Sequence, residues 1–102
     1  MDRLQKEFAT DIEFEIALNI LDILKEQPQV FMVKDALGRL HEKYGADKAK
    51  YLLCNHVFFR MKDLEYIALF DGAAKLDHKG ALYIATKNLT GIRKIIAKHF
   101  YQ

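Results

Sequence analysis

Two amphipathic segments joined by only a few residues, VKDALGRLHEKY at 33–44 and DKAKYLLCNHVFFRMK at 47–62, limit the folds open to this chain more than anything else in it. In the first, Val33, Ala36, Leu37, Leu40 and Tyr44 recur at helical spacing, which lines them along one stripe and leaves Asp35, Arg39 and Glu42 outside. Gly45 can adopt the left-handed backbone that ends such a helix, and Asp47 can accept a backbone N–H at the start of the next. A short glycine-containing connection between two such helices is the pattern of a helix-turn-helix unit.

In units of this kind the second helix often turns its outer face to nucleic acid, so that face is where a function is to be sought. Plotted at about 100° per residue, the segment gathers Ala49, Leu53, Cys54, Val57, Phe58 and Met61 on one side, which reads as its core face. The opposite side carries Lys48, Tyr51, Asn55, Phe59 and Lys62, with Leu52 at its margin and His56 and Arg60 on the flank. Lysines can meet phosphates, asparagine can read an adenine edge, and tyrosine can donate to a phosphate or stack on a base. Leu52 and Phe59 would equally suit a protein partner.

With 102 residues the chain is expected to form one domain over 1–102, with its core in 10–86 and a C-terminal helix over 89–101. Hydrophobic residues make up 51% and Pro28 is the lone proline, a globular rather than disordered composition. No apolar run approaches a bilayer span, and the start MDRLQKEFATD lacks the apolar stretch of a signal peptide. The expectation is a soluble cytoplasmic protein with no membrane partner. Cys54 is the only cysteine, so no internal disulfide can form, and its place on the apolar face favours a buried small hydrophobe. The formal charge of +2 is unevenly spread: residues 1–26 hold seven acids against three bases, net −4, which leaves +6 for the remainder. A basic body behind an acidic first helix suits an anionic partner approaching one side.

Thr10 followed by Glu13 forms a capping box, and Ile12, Ile16, Ala17, Ile20, Leu21, Ile23 and Leu24 then supply a broad apolar stripe, with Glu13, Glu15, Asn19 and Asp22 facing outward until Pro28 stops the helix. The stripe is wider than one small core needs. A homodimer is therefore expected, with Ile16, Ile20 and Ile23 of this helix and Ile92, Ile96 and Phe100 of the C-terminal helix at its two-fold interface. QVFM at 29–32 is extended in character. After Lys62 the period changes: LEYIALF at 64–70, the turn pair Asp71-Gly72 and AAKLD at 73–77 predict an antiparallel hairpin. ALYIAT at 81–86 fits a third strand or a helix, and the reading leans to helix.

Helix, short strand, helix, glycine-containing turn, helix and hairpin, followed by KLDHKGALYI, resembles a winged helix-turn-helix DNA-binding domain over about residues 10–84. In many such regulators the second wing strand runs into a Leu-Thr-x-x-Gly type segment that starts a further helix. Leu76, Asp77, His78, Lys79 and Gly80 are similar to it, with Asp77 where threonine is usual. The resemblance implies a fold that is mainly α with a small antiparallel β-hairpin (α+β), a helix docked in the major groove, and a wing near the backbone or minor groove. Applied to these residues it selects Lys48, Tyr51, Asn55 and Lys62 on the recognition helix and Lys75, His78 and Lys79 at the wing. Many DNA-reading members carry arginine or several serines, threonines and glutamines early in that helix, where this chain has chiefly lysines, one asparagine and aromatics.

Nothing in the sequence asks for catalysis. His41, His56, His78 and His99 have no second histidine or cysteine at zinc-ligand spacing, and no phosphate-loop, dinucleotide-binding, nucleophile-elbow or zinc-protease string occurs. The expectation is a non-enzyme without cofactor or metal. Two functions fit: a small transcriptional regulator that binds double-stranded DNA through 47–62 and a wing at 64–80, or a winged-helix module that meets a protein partner through Leu52 and Phe59.

Overall fold

The computed structural model describes residues 3–25 and 31–86. A short helix, α1 (Arg3–Lys6), precedes α2 (Asp11–Lys25). The chain continues through β1 (Phe31–Met32), α3 (Val33–Tyr44), α4 (Lys48–Asp63), β2 (Ile67–Phe70) and β3 (Ala73–Leu76). It is helical again, as α5, from 78 to 86, which settles the segment at 81–86 as helix. The fold is thus mainly helical with a small antiparallel sheet. The C-terminal helix expected over 89–101 lies outside the described residues.

Local chemistry sets most of the element ends. The Thr10 hydroxyl accepts the Glu13 backbone N–H at 3.2 Å and donates to the Glu13 carboxylate at 2.8 Å, closing the start of α2. Asp47 caps α4 by accepting from the Lys50 N–H at 3.2 Å. At the other end of α4, the Tyr66 and Glu65 N–H groups donate to the carbonyls of Met61 and Lys62, both at 3.0 Å, and Glu65 takes φ 68°. That is a Schellman closure built on a glutamate where glycine is usual. Asp71 and Gly72 both have positive φ, 50° and 74°, the requirement of a type I′ hairpin turn.

Gly45 departs from expectation. Its φ of −59° and ψ of −28° are right-handed, and the turn closes instead through the Asp47 N–H on the Tyr44 carbonyl at 3.0 Å. Space is tight there: a Cβ would stand 3.0 Å from the His41 carbonyl oxygen, so a larger residue would need its neighbour to give by a few tenths of an ångström.

The three strands lie in the order β1-β3-β2, both pairings antiparallel, with Phe31 opposite Ala74 and Ile67 opposite Leu76. One core joins sheet and helices. Ile16, Ile20, Leu21, Leu40, Val57, Phe58, Met61 and Ile67 are fully buried in it, and Leu37 and Leu53 pack against its edge. Leu4 of α1 is completely buried as well, a core residue that periodicity missed because one helical turn is too short to show a period.

Two expectations about α2 and α4 fail here. Ile16 and Ile20, expected at a dimer interface, are 0% and 1% exposed within a single chain. Around Ile16 and Ile20 the stripe of α2 is covered by α1, α3, α4 and β3, all of which contact the helix, so no surface remains at those two residues for a second copy, although Ile12 at its start is 40% exposed. Ile23 is partly buried and packs on the same core, and Ile92, Ile96 and Phe100 lie outside the described residues. Ala49, expected in the core, is exposed in the first turn of α4, while the core face proper begins with Cys54. No helix among the described residues is long and apolar enough to cross a membrane.

Candidate nucleic-acid interface

The helix α4 is held from behind on two sides, by α2 and by α3. Cys54, Val57, Phe58 and Met61 on its inner side are all wholly buried. The Cys54 thiol donates to the Lys50 carbonyl at 3.3 Å, and burial pushes its pKa up, which keeps it a packed thiol rather than a nucleophile.

A polar cluster at the N-terminal end of α4 ties the three helices together. The Tyr44 hydroxyl of α3 donates to the Glu15 carboxylate of α2 at 2.9 Å and accepts from the Asn19 amide. Lys43 donates to the Asn19 side-chain oxygen at 2.7 Å, and the Lys50 ammonium of α4 lies 3.6 Å from Glu15. Burial, then the hydrogen bond to Glu15 and its negative charge, raise the Tyr44 pKa to about 12. Glu15 and Asn19 read in the sequence as a solvated face; they serve instead as the polar seam between α2, α3 and α4, a role visible only once Tyr44 is placed opposite them.

This frame leaves the outer face of α4 open. Lys48, Tyr51, Leu52, Asn55, Phe59 and Lys62 are all exposed, as their spacing predicts. Tyr51 is 40% exposed and stacks on His41 of α3, ring centroids 4.3 Å apart, so its position is set while its edge stays available. Lys48 has no ion-pair partner among the described residues, whereas Lys62 lies 3.6 Å from Asp63. One flank is acidic: Glu13 reaches His56 at 3.6 Å, and a shallow groove of about 390 Å³ runs between Asn55, His56, Phe59, Arg60 and Asp63.

The wing cations are differently placed. Lys75 stands in β3, away from the turn, with its ammonium 5.3 Å from the centre of the Phe70 ring. His78 and Lys79 both approach Glu65 at 3.7 Å, and His78 also contacts Asp77 at 3.1 Å. Asp77 accepts the His78 backbone N–H at 2.7 Å at the head of α5, and that bond, with the contact to the His78 side chain, lowers its pKa. The hairpin tip itself carries Asp71 and no cation. The residues selected for a groove-facing helix therefore share one surface, while those selected for the wing are spread over β3 and the start of α5 and are largely engaged with acids. Sequence reading missed the role of Glu65, whose left-handed backbone and pairing with α5 have no local sequence signal.

Among the described residues no group of three or more histidine, cysteine, aspartate or glutamate side chains is arranged to hold a metal ion. Comparison with protein-family models, with curated proteins and with solved structures finds no match to this chain.

Proposed function

We propose that this chain is a small winged helix-turn-helix protein that binds duplex DNA, as a transcriptional regulator does, with the outer face of α4 in the groove. The observation that carries the reading is that this one face is open along the whole helix and presents Lys48, Tyr51, Asn55 and Lys62 together. A helix fixed on its other side by α2 and α3 is a rigid reader, and the β1-β3-β2 sheet beside it has the arrangement expected of a wing. Lys48 and Lys62 serve phosphates, Asn55 a base edge, and Lys75 is the wing cation least engaged with acids. The ion pairs at Lys62 and Lys79 are exposed, and such pairs contribute only ~0–1 kcal/mol, so a phosphate can replace them.

The test is fluorescence anisotropy with random and selected duplexes over a salt series. Dissociation constants of ~10⁻⁴–10⁻⁶ M are expected on random duplex at physiological salt. Lys48→Ala should weaken binding to all sequences alike and lower the salt slope by about one, because one fewer counterion is released. Asn55→Ala should cost ~1–3 kcal/mol on the preferred site only. If every duplex binds more weakly than ~0.1 mM, the reading is lost.

A second reading is favoured by a specific observation. Leu52 is 65% exposed and Phe59 47% exposed on the same face, and the acidic flank of Glu13 and Asp63 lies beside them. A protein partner with an apolar ridge would cover both side chains, and it would bind with little dependence on salt.

A further inference from the structure

We propose that the cleft between α1 and α5 binds a small amphipathic monocarboxylate, its carboxylate on Arg3 and its apolar body against Tyr66, Leu82 and Tyr83. The cleft measures about 310 Å³, at the small end of the ~300–1,000 Å³ range of ligand sites, and Lys79 and Thr86 complete its lining among the described residues. It lies away from the outer face of α4, and none of its residues belongs to that face.

Its walls are built before any ligand arrives. Gly80 lets the first turn of α5 sit directly on the backbone of Tyr66, where a Cβ would come within 2.1 Å of the Tyr66 carbonyl oxygen. The same carbonyl accepts the Asp77 N–H at 3.0 Å, so both ends of the contact are pinned. The Tyr66 and Tyr83 rings then meet edge to face with centroids 6.3 Å apart. A preformed aromatic wall loses little entropy on binding and accepts a flat apolar body.

Charge selects the other end of the ligand. Arg3 makes no ion pair among the described residues, and its planar guanidinium can hold a carboxylate through two parallel hydrogen bonds. The acids at the head of α5 are already engaged, Glu65 with both His78 and Lys79 at 3.7 Å and Asp77 with His78 at 3.1 Å. The rim therefore attracts an anion, while the apolar wall disfavours a bare inorganic one. Leu82, 63% exposed, is the most accessible apolar residue lining the cleft among those described.

The probe is naphthoate, added to the full chain without DNA and followed by amide NMR. Saturable shifts centred on Tyr66, Lys79, Leu82 and Tyr83 are expected. Naphthol, with the same rings and no carboxylate, should bind about tenfold more weakly, the size of one lost charge-assisted contact. Arg3→Gln should bring naphthoate down to the level of naphthol while leaving naphthol unchanged. Leu82→Glu, at a site exposed enough to leave the fold intact, should abolish naphthoate binding by repulsion. Equal binding of the two probes, insensitivity to Arg3→Gln, or shifts confined to the outer face of α4 would overturn the proposal. Because no DNA is present, the outcome is independent of the duplex-binding reading.

Discussion

Phe58 and Phe59 are consecutive residues on one helix, and their rings touch edge to face with centroids 5.8 Å apart, yet Phe58 is fully buried and Phe59 is half exposed. Tyr44 at the end of α3 and Tyr51 in the first turns of α4 show the same contrast across two helices, one buried with its hydroxyl bonded into a polar seam, the other stacked on His41 at the surface. The two faces of α4 are thus similar in residue type and opposite in physical role. On the inner face aromatic rings remove apolar area from water and fix the helix. On the outer face the same kinds of ring remain available to something outside the chain. An aromatic residue on this helix is no guide to function until its face is known.

The sharpest way to break this comparison is to truncate the two phenylalanines separately. Phe58→Ala should destabilise the fold by ~3–5 kcal/mol, read as a lower urea midpoint, because it leaves a cavity among Cys54, Val57 and Met61 and their neighbours. Phe59→Ala should stay within about 0.5 kcal/mol. Similar losses in both would mean that Phe59 is a core residue and that the outer face is not open.

A smaller effect separates the tyrosines. The Tyr44 pKa is raised from 10.0 to about 12, so the folded protein favours the neutral phenol. The sign follows from linkage: this contribution is complete below pH 10 and is lost as pH rises towards 12. Over that window the native chain should lose roughly 2 kcal/mol more than Tyr44→Phe does, measured by urea denaturation at each pH. Tyr51→Phe should track the native chain. If Tyr44→Phe and the native protein lose stability in parallel, the seam with Glu15 does not hold the phenol neutral.

A change in stability as small as that of Phe59→Ala is expected at Leu52, and it sharpens the choice between partners. Leu52→Lys, on an open face, should alter stability by no more than about 0.5 kcal/mol. If α4 enters a DNA groove and the new ammonium reaches a phosphate, the salt slope should rise by about one. If the face instead docks a protein through Leu52 and Phe59, the same substitution removes an apolar anchor and introduces a charge that must be desolvated, so duplex binding stays absent.

What the sequence determined by itself was whatever depends on neighbours within about one turn. The capping of α2 by Thr10 and Glu13, the Asp47 cap of α4, the Asp71-Gly72 hairpin and the exposure of Lys48, Asn55 and Lys62 were all legible, because a side chain three or four residues away supplies the partner or sets the face. Tertiary structure alone decided how those faces are used. Ile16 and Ile20 lie in the core of one chain and not between two, since a stripe's width says how much area is apolar but not which elements cover it. Gly45 keeps a right-handed backbone, with the turn closed by the Asp47 N–H on the Tyr44 carbonyl, while the left-handed helix end falls on Glu65. Tyr44 finds Glu15 and Asn19, and Gly80 finds the carbonyl of Tyr66, across separations that no periodicity encodes. Long-range contacts of this kind arise only when helices pack, so the polar seam that orients α4 and the cleft beside α5 belong to the fold and not to any local stretch of the chain.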